Sequence, residues 1–246
     1  MSAIESMPKY IPEIQDQLRH KNFPRFTEDE IRNVRVSLDA PPTVTTMPRY
    51  EFQDKARRAG IVVTKDSVAL HVSLYNSFDE FCSSLQVGLE IVDSVADLGL
   101  VERVGLRYVD LIRPGFHETL SDYLEQGLLG LDETKVGATR SMLRFQMLGE
   151  TDHGTLAVRL YQRADGSFLP PDLDPSPLDQ PAPEPKLAPD EKVTLLDIDH
   201  YNELQKTPME FSVEAVMSLL WRVHDNADLA FRAAVTEHAL TEWGRT

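Results

Sequence analysis

The stretch "VERVGLRYVDLI", residues 101–112, alternates apolar with polar or charged positions, the period of a half-buried β-strand. Successive side chains of a strand point to opposite faces, so Val104, Leu106, Tyr108 and Ile112 share one side. Arg103, Gly105, Arg107, Val109 and Leu111 share the other. The first side reads as core, and the arginines mark the second as the polar side of an antiparallel sheet.

The same test extends outward. Residues 140–148 and 155–163 alternate as well, and the intervening "GETDHG" predicts a hairpin. In it Leu143, Phe145 and Met147 oppose Arg140, Arg144 and Gln146, while Leu156, Val158 and Leu160 oppose Arg159, Tyr161 and Arg163. Arginines therefore gather on the polar faces of three strands. A fourth strand, "KVTLLDIDHY", turns Asp197 and Asp199 to its polar side and Leu196 and Ile198 to the other.

Two readings of this charged face stand side by side. Cross-strand arginine–aspartate pairs solubilise and align a half-exposed sheet, each contributing about 0.2–1 kcal/mol. Alternatively, Gly105 leaves a gap between Arg103 and Arg107, about 13 Å apart along the strand. A ligand or extended segment then lies close to the backbone while guanidinium forks hold its carboxylates or phosphates. A bulge at Gly105 would invert half of the pattern. The candidate binding residues are Arg103, Gly105, Arg107, Arg144, Arg159, Asp197 and Asp199.

Other elements are punctuated clearly. "YEFQDKARRAG" and "IVVTKDSVALHVSLY" read as strands, the second turning at Lys65-Asp66-Ser67. Ser77 and Glu80 form a capping box for a helix whose apolar positions run from Phe78 to Val95, with Gly99 as its C′ residue. A shorter helix is expected around 119–129, and a long one from about 207 to 243, with Asp225-Asn226 as a point of bending. The first thirty-odd residues are ambiguous, since Thr27 and Glu30 resemble a capping box whereas "VRVSLDA" alternates like a strand.

"PPDLDPSPLDQPAPEPKLAP", residues 170–189, carries eight of the sixteen prolines and reads as a linker or surface excursion that neither joins a sheet nor continues a helix. It divides a main α+β block, 1–169, from a C-terminal strand and helix, 190–246. The latter is too small to hold a core alone and is expected to pack onto the same sheet. The fold class expected is α+β, a mostly antiparallel twisted sheet with two long helices on one face.

With 25 basic against 40 acidic side chains, the formal charge of −15 disfavours phosphate backbones and anionic membranes as partners. Cys82 is the sole cysteine, which excludes an intrachain disulfide or a multi-cysteine metal site and points to a reducing cytoplasm. No leader-like start and no membrane-length apolar segment is seen, so a cytoplasmic protein without an anchor is expected.

"RVGLRYVDLI", the "YNSFDEF" helix start, the "LLDID" strand and the closing "LLWRVHDNADLAFRAAVTEHALTEWG" resemble, in order, the signatures of a sporadically distributed bacterial family of uncharacterised proteins. The resemblance spans about residues 50–246, and its most specific part is the R-x-G-L-R-Y strand, here Arg103–Tyr108. It implies an α+β protein and brings no assigned activity. Members of that family begin with a further strand of the form P-x-x-E-V-x-x-x-I-x-F. Here "MPKYIPEIQDQL" starts beyond it, so one edge of the sheet is left open.

Catalytic patterns are incomplete. There is no G-x-S-x-G elbow, no G-x-G-x-x-G and no G-x-x-x-x-G-K, and Cys82 follows Phe81 on a core-facing helix. His224 and His238, read on one straight helix, stand about 21 Å apart and share no ion. Asp197 and Asp199 suit a divalent cation or arginine pairing equally. Tyr108, Phe145, Trp221 and Trp243 read as packing residues rather than base-stacking platforms.

The expectation is therefore a non-catalytic binding or accessory protein, without cofactor or metal. Its arginine-lined sheet surface or groove holds an acidic or extended partner, with a protein partner or self-association expected, a small anionic ligand as a further option, and neither nucleic acid nor membrane. An alternative of another class is an enzyme acting on a small anionic metabolite in a cavity between sheet and helices, using Asp197, Asp199 and His224. A third, resting on net charge alone, is an acidic antitoxin-like or chaperone-like protein that neutralises a basic partner.

Overall fold

The computed structural model of the chain describes residues 1–35, 43–137, 139–163, 168–170, 172–173, 178 and 192–245. Along it run α1 (Met7–Arg19), β1 (Arg25–Arg35), β2 (Thr43–Gln53), β3 (Ala59–Val63), β4 (Val68–Val72), α2 (Phe78–Ala96), β5 (Leu100–Val101), β6 (Arg103–Ile112), α3 (Leu120–Tyr123) and α4 (Gln126–Leu129). The remainder is β7 (Leu143–Thr151), β8 (Gly154–Arg163), β9 (Val193–Glu203), β10 (Met209–Glu210), α5 (Val213–Ala234) and α6 (Glu237–Glu242). All the ladders among the described residues are antiparallel. Contacts divide the chain into two units, the first holding Met1–Glu102 and Thr207–Met217 and the second beginning at Arg103, inside the stretch read above as one block.

In the first unit β1-β2-β3-β4 form a meander, with β5 and β10 as a separate two-stranded ladder. Tyr50, Phe52, Ile61, Val63 and Leu70 form its buried apolar side. Against that side lies α2, close enough that a Cβ on Gly88 would sit 3.0 Å from Ile61 Cδ1. Met7, Ile11, Ile14 and Leu18, at helical spacing, make the buried stripe of α1. The ambiguous start thus resolves into a helix followed by a strand, and Thr27 and Glu30 lie within β1 rather than at a cap. Between β3 and β4, the Thr64 hydroxyl accepts from the amides of Asp66 and Ser67, which closes the expected turn.

Ser77 caps α2 by accepting from the Glu80 amide at 3.2 Å. The helix ends earlier than Gly99 suggests. Asp97 takes the left-handed conformation, φ 54°, and the Asp93 carboxylate accepts from the Leu98 amide.

In the second unit the sheet order is β6-β9-β8-β7, so the strand that follows the proline-rich stretch lies between the opening strand and the hairpin. Val158, Leu160, Leu196 and Ile198 pack with Ala227, Phe231 and Ala234 of α5, and with Leu124, Leu128 and Ala239. The expected single sheet with two long helices on one face is thus corrected to two four-stranded sheets. One packs on α2 and the other on residues 218–234 of α5, because β6 closes on β9 rather than on a strand of the meander.

The expected helix at 119–129 is two short turns, α3 and α4. The C-terminal helix continues unbroken past Asp225-Asn226 and stops at Ala234, where Val235 bridges to Leu124 and Thr236 caps α6. His224 and His238 therefore sit on different helices. Pro170, Asp172, Leu173 and Leu178 are the described members of the proline-rich stretch. The linker expectation otherwise lies outside the described residues.

Candidate functional site

Register places the charged side chains of the second unit's sheet on one surface. β6 and β8 flank β9 so that Arg107 lies opposite Asp199 and Arg159 opposite Asp197. Asp197 is fully buried and holds both arginines. Arg107 Nε and Nη2 donate to its two oxygens at 2.7 and 2.8 Å, and Arg159 Nη1 donates to Oδ2 at 3.2 Å. Asp199 stands 3.8 Å from Arg159 Nη1, and burial pushes its carboxyl above the usual carboxylate range against the pull of Arg107, Arg103 and Arg159.

A carboxylate from outside the sheet completes the cluster. Asp172, well exposed, accepts from Arg107 Nη1 at 2.8 Å and Nη2 at 3.0 Å, a two-pronged fork. The fork holds the Asp172 carboxyl below its ordinary range. Burial opposes the charge of Arg107, but the hydrogen bonds to Asp172 and Asp197 outweigh it and raise the guanidinium's pKa. Four residues before Asp172, Phe168 packs against Tyr161, Val193 and Leu195, beside Val109. These belong to the same alternating set as Asp197 and Arg159. The chain's own Phe168 and Asp172 thus occupy an apolar patch and an arginine fork on one sheet face.

The other expected site residues lie apart from that centre. Arg103 stacks over the Tyr201 ring at 4.2 Å and pairs with Glu203 at 3.6 Å. Arg144 lies over the Tyr161 ring at 5.7 Å. Gly105 does not leave an open gap: a Cβ there would stand 2.9 Å from Tyr201 Cβ, so its missing side chain accommodates the cross-strand tyrosine. Arg140 precedes β7 instead of lying in it, and its guanidinium donates to the Leu131 carbonyl. The side chain of Arg163 lies outside the described residues.

No family model, curated protein or solved structure matches this chain.

Of the residues of the enzymatic alternative, Asp197 and Asp199 share one face beside Arg159, whereas His224 lies on the other side. His224 Nδ1 is 3.0 Å from the Tyr108 hydroxyl, and Tyr108 belongs to the strand face opposite Arg107 and Asp197. A cleft of about 660 Å³ in this unit is lined by Arg113, Glu118, Gln162, Phe168, Lys192 and Thr194, with neither aspartate nor His224 among its walls. Among the described residues no group of histidine, cysteine and carboxylate side chains has the geometry to hold a metal ion, and no helix is long and apolar enough to cross a membrane. Cys82 is buried on α2, its thiol pushed up to about 11 by burial and then by Asp79.

Three groupings escaped the sequence reading. Phe168 and Asp172 flank the start of a proline-rich stretch whose composition masks them, although an aromatic and an acid four residues apart were visible. Arg49 and Glu51 form a buried pair at 3.1 Å on β2, signalled by polar alternation in "RYEFQ". Glu118, Tyr123 and His238 meet through the Glu118 carboxylate, at 2.6 Å from Tyr123 Oη and 2.9 Å from His238 Nε2. No sequence spacing announces that third contact.

Proposed function

We propose that this chain is a non-catalytic binding or accessory protein of the cytoplasm, in the bacterial family that its R-x-G-L-R-Y strand resembles. The arginine-bearing face of its second sheet holds an extended acidic segment of a partner protein. The carrying observation is the fork of Arg107 on the exposed Asp172 carboxylate, with Phe168 seated in the neighbouring apolar patch. An aromatic anchor followed four residues later by a carboxylate is the pattern the face selects. The chain's own copy competes at high effective concentration, so a partner must displace it. Arg159 and Asp197 act beneath this contact by fixing the orientation of Arg107.

The test is a titration with a fluorescent peptide, GSFLPPDLDP, corresponding to residues 166–175. The full chain carrying Phe168→Ser and Asp172→Ala binds it at least tenfold more tightly than the wild type, and adding Arg107→Ala removes the gain. Equal binding by all three proteins, or none by the double variant, overturns the reading.

A further inference from the structure

An unpaired sheet edge offers main-chain donors and acceptors to any strand that matches it, and β7 is such an edge among the described residues, paired with β8 alone. Edges are ordinarily blunted by proline, lysine or clustered charge. The meander's edge strand β1 carries Glu28, Asp29 and Glu30 in succession. By contrast, β7 reads "LRFQMLGET", with neither proline nor lysine, and exposes Met147 by 44% and Leu148 by 58%.

Its register specifies what fits. Asp152 and His153 form the two-residue loop of the β7–β8 hairpin, so Thr151 and Gly154 make the first hydrogen-bonded pair and such pairs alternate from there. The main-chain groups of Arg144, Gln146, Leu148 and Glu150 consequently point away from β8. A second β7 running antiparallel about a two-fold axis at Met147 sets Arg144 opposite Glu150 twice and Gln146 opposite Leu148 twice, all at outward-pointing positions. It also sets Phe145 opposite Gly149, where the absent side chain leaves room for the ring. Arg144 and Glu150 are the only charges of the strand and both are exposed. Shifting the axis to Gln146 pairs neither charge, and shifting it to Leu148 sets Arg144 opposite Asp152, which lies in the turn beyond the strand.

We propose that β7 pairs with β7 of a second copy of this chain about an axis at Met147, joining two four-stranded sheets into one of eight. Such an isologous interface uses the same patch on both subunits. Arg144 projects on the face that bears Arg107 and Asp197, over the Tyr161 ring, but the pairing itself uses the main chain of the β7 edge and involves neither Arg107, Phe168 nor Asp172.

The experiment combines charge reversal with cross-linking in the full chain. Native mass spectrometry of the wild type gives twice 27.8 kDa. Arg144→Glu alone and Glu150→Arg alone each give the single mass with unchanged circular dichroism, and the two together restore the doubled mass. Mild oxidation of Met147→Cys gives a covalent dimer, since the two copies of that position face each other in a closely spaced pair about 4.5 Å apart. Gln146→Cys gives none. A wild type that stays monomeric, a double reversal that does not recover the dimer, or equal cross-linking at 146 and 147 overturns the proposal.

Discussion

Arg107 grips Asp197 with two hydrogen bonds, Nε to Oδ1 at 2.7 Å and Nη2 to Oδ2 at 2.8 Å, while Nη1 and Nη2 both reach Asp172. One carboxylate is fully buried and the other is exposed, so the same guanidinium joins a carboxylate inside the sheet to one at its surface.

The buried end of this arrangement is a stability determinant. Asp197→Ala leaves Arg107 and Arg159 partly buried without their common partner, which costs about 3–5 kcal/mol. Urea unfolding followed by circular dichroism checks this. A loss under about 1 kcal/mol, the range of an exposed pair, would contradict the burial assigned to it.

Gly105 is expected to be intolerant of a side chain because of Tyr201, not because a ligand needs the space. Gly105→Ala destabilises by about 1–3 kcal/mol, the range for overpacking. Pairing it with Tyr201→Gly recovers part of that loss, measurable as non-additivity in thermal unfolding.

The first unit carries a pH dependence of its own. Burial, then the Arg49 charge, hold the His71 imidazole below its ordinary value of 6.5, with Glu51 acting in the opposite direction. The unfolded chain therefore binds this proton at a higher pH than the folded chain. Stability is complete above about 6.5, falls as the pH drops toward the depressed folded value, and levels once the folded imidazole is protonated. His71→Gln flattens that portion of a stability profile recorded between pH 7.5 and pH 5, about the window in which histidine titrates.

Cys82 is expected to behave as a buried side chain. With its thiol pushed up to about 11, native protein at neutral pH reacts with iodoacetamide at a small fraction of the rate seen in denaturant. Rapid labelling of the native chain would show α2 opening.

What the sequence made legible follows from local period. The faces of residues 103–112, the hairpin, the turn at Lys65-Asp66-Ser67 and the Ser77 cap depend on neighbours two to four positions apart, and all are found in the structure. Strand order depends on contacts a hundred residues apart, such as Arg103 with Glu203, and no local signal carries it. For that reason local pattern predicts one sheet where the described residues form two four-stranded sheets and a two-stranded ladder. α1 is obscured by Pro8 and Pro12, which argue against a helix although the first lies in its opening turn. At the site, alternation locates Arg107, Arg159, Asp197 and Asp199 correctly on one face. It carries no information about Phe168 and Asp172, which lie across that face from a segment outside the ladder.

The most direct measurement is the thiol-labelling rate of Leu173→Cys, half-buried beside Asp172, in the full chain with and without the GSFLPPDLDP peptide. Cys82, buried on α2, is expected to add only slow background, which the wild-type chain with Leu173 in place measures. The peptide is expected to accelerate labelling severalfold as the chain's own segment leaves the Arg107 fork, and the acceleration to disappear in Arg107→Ala. A labelling rate that stays constant as the peptide concentration rises would contradict it.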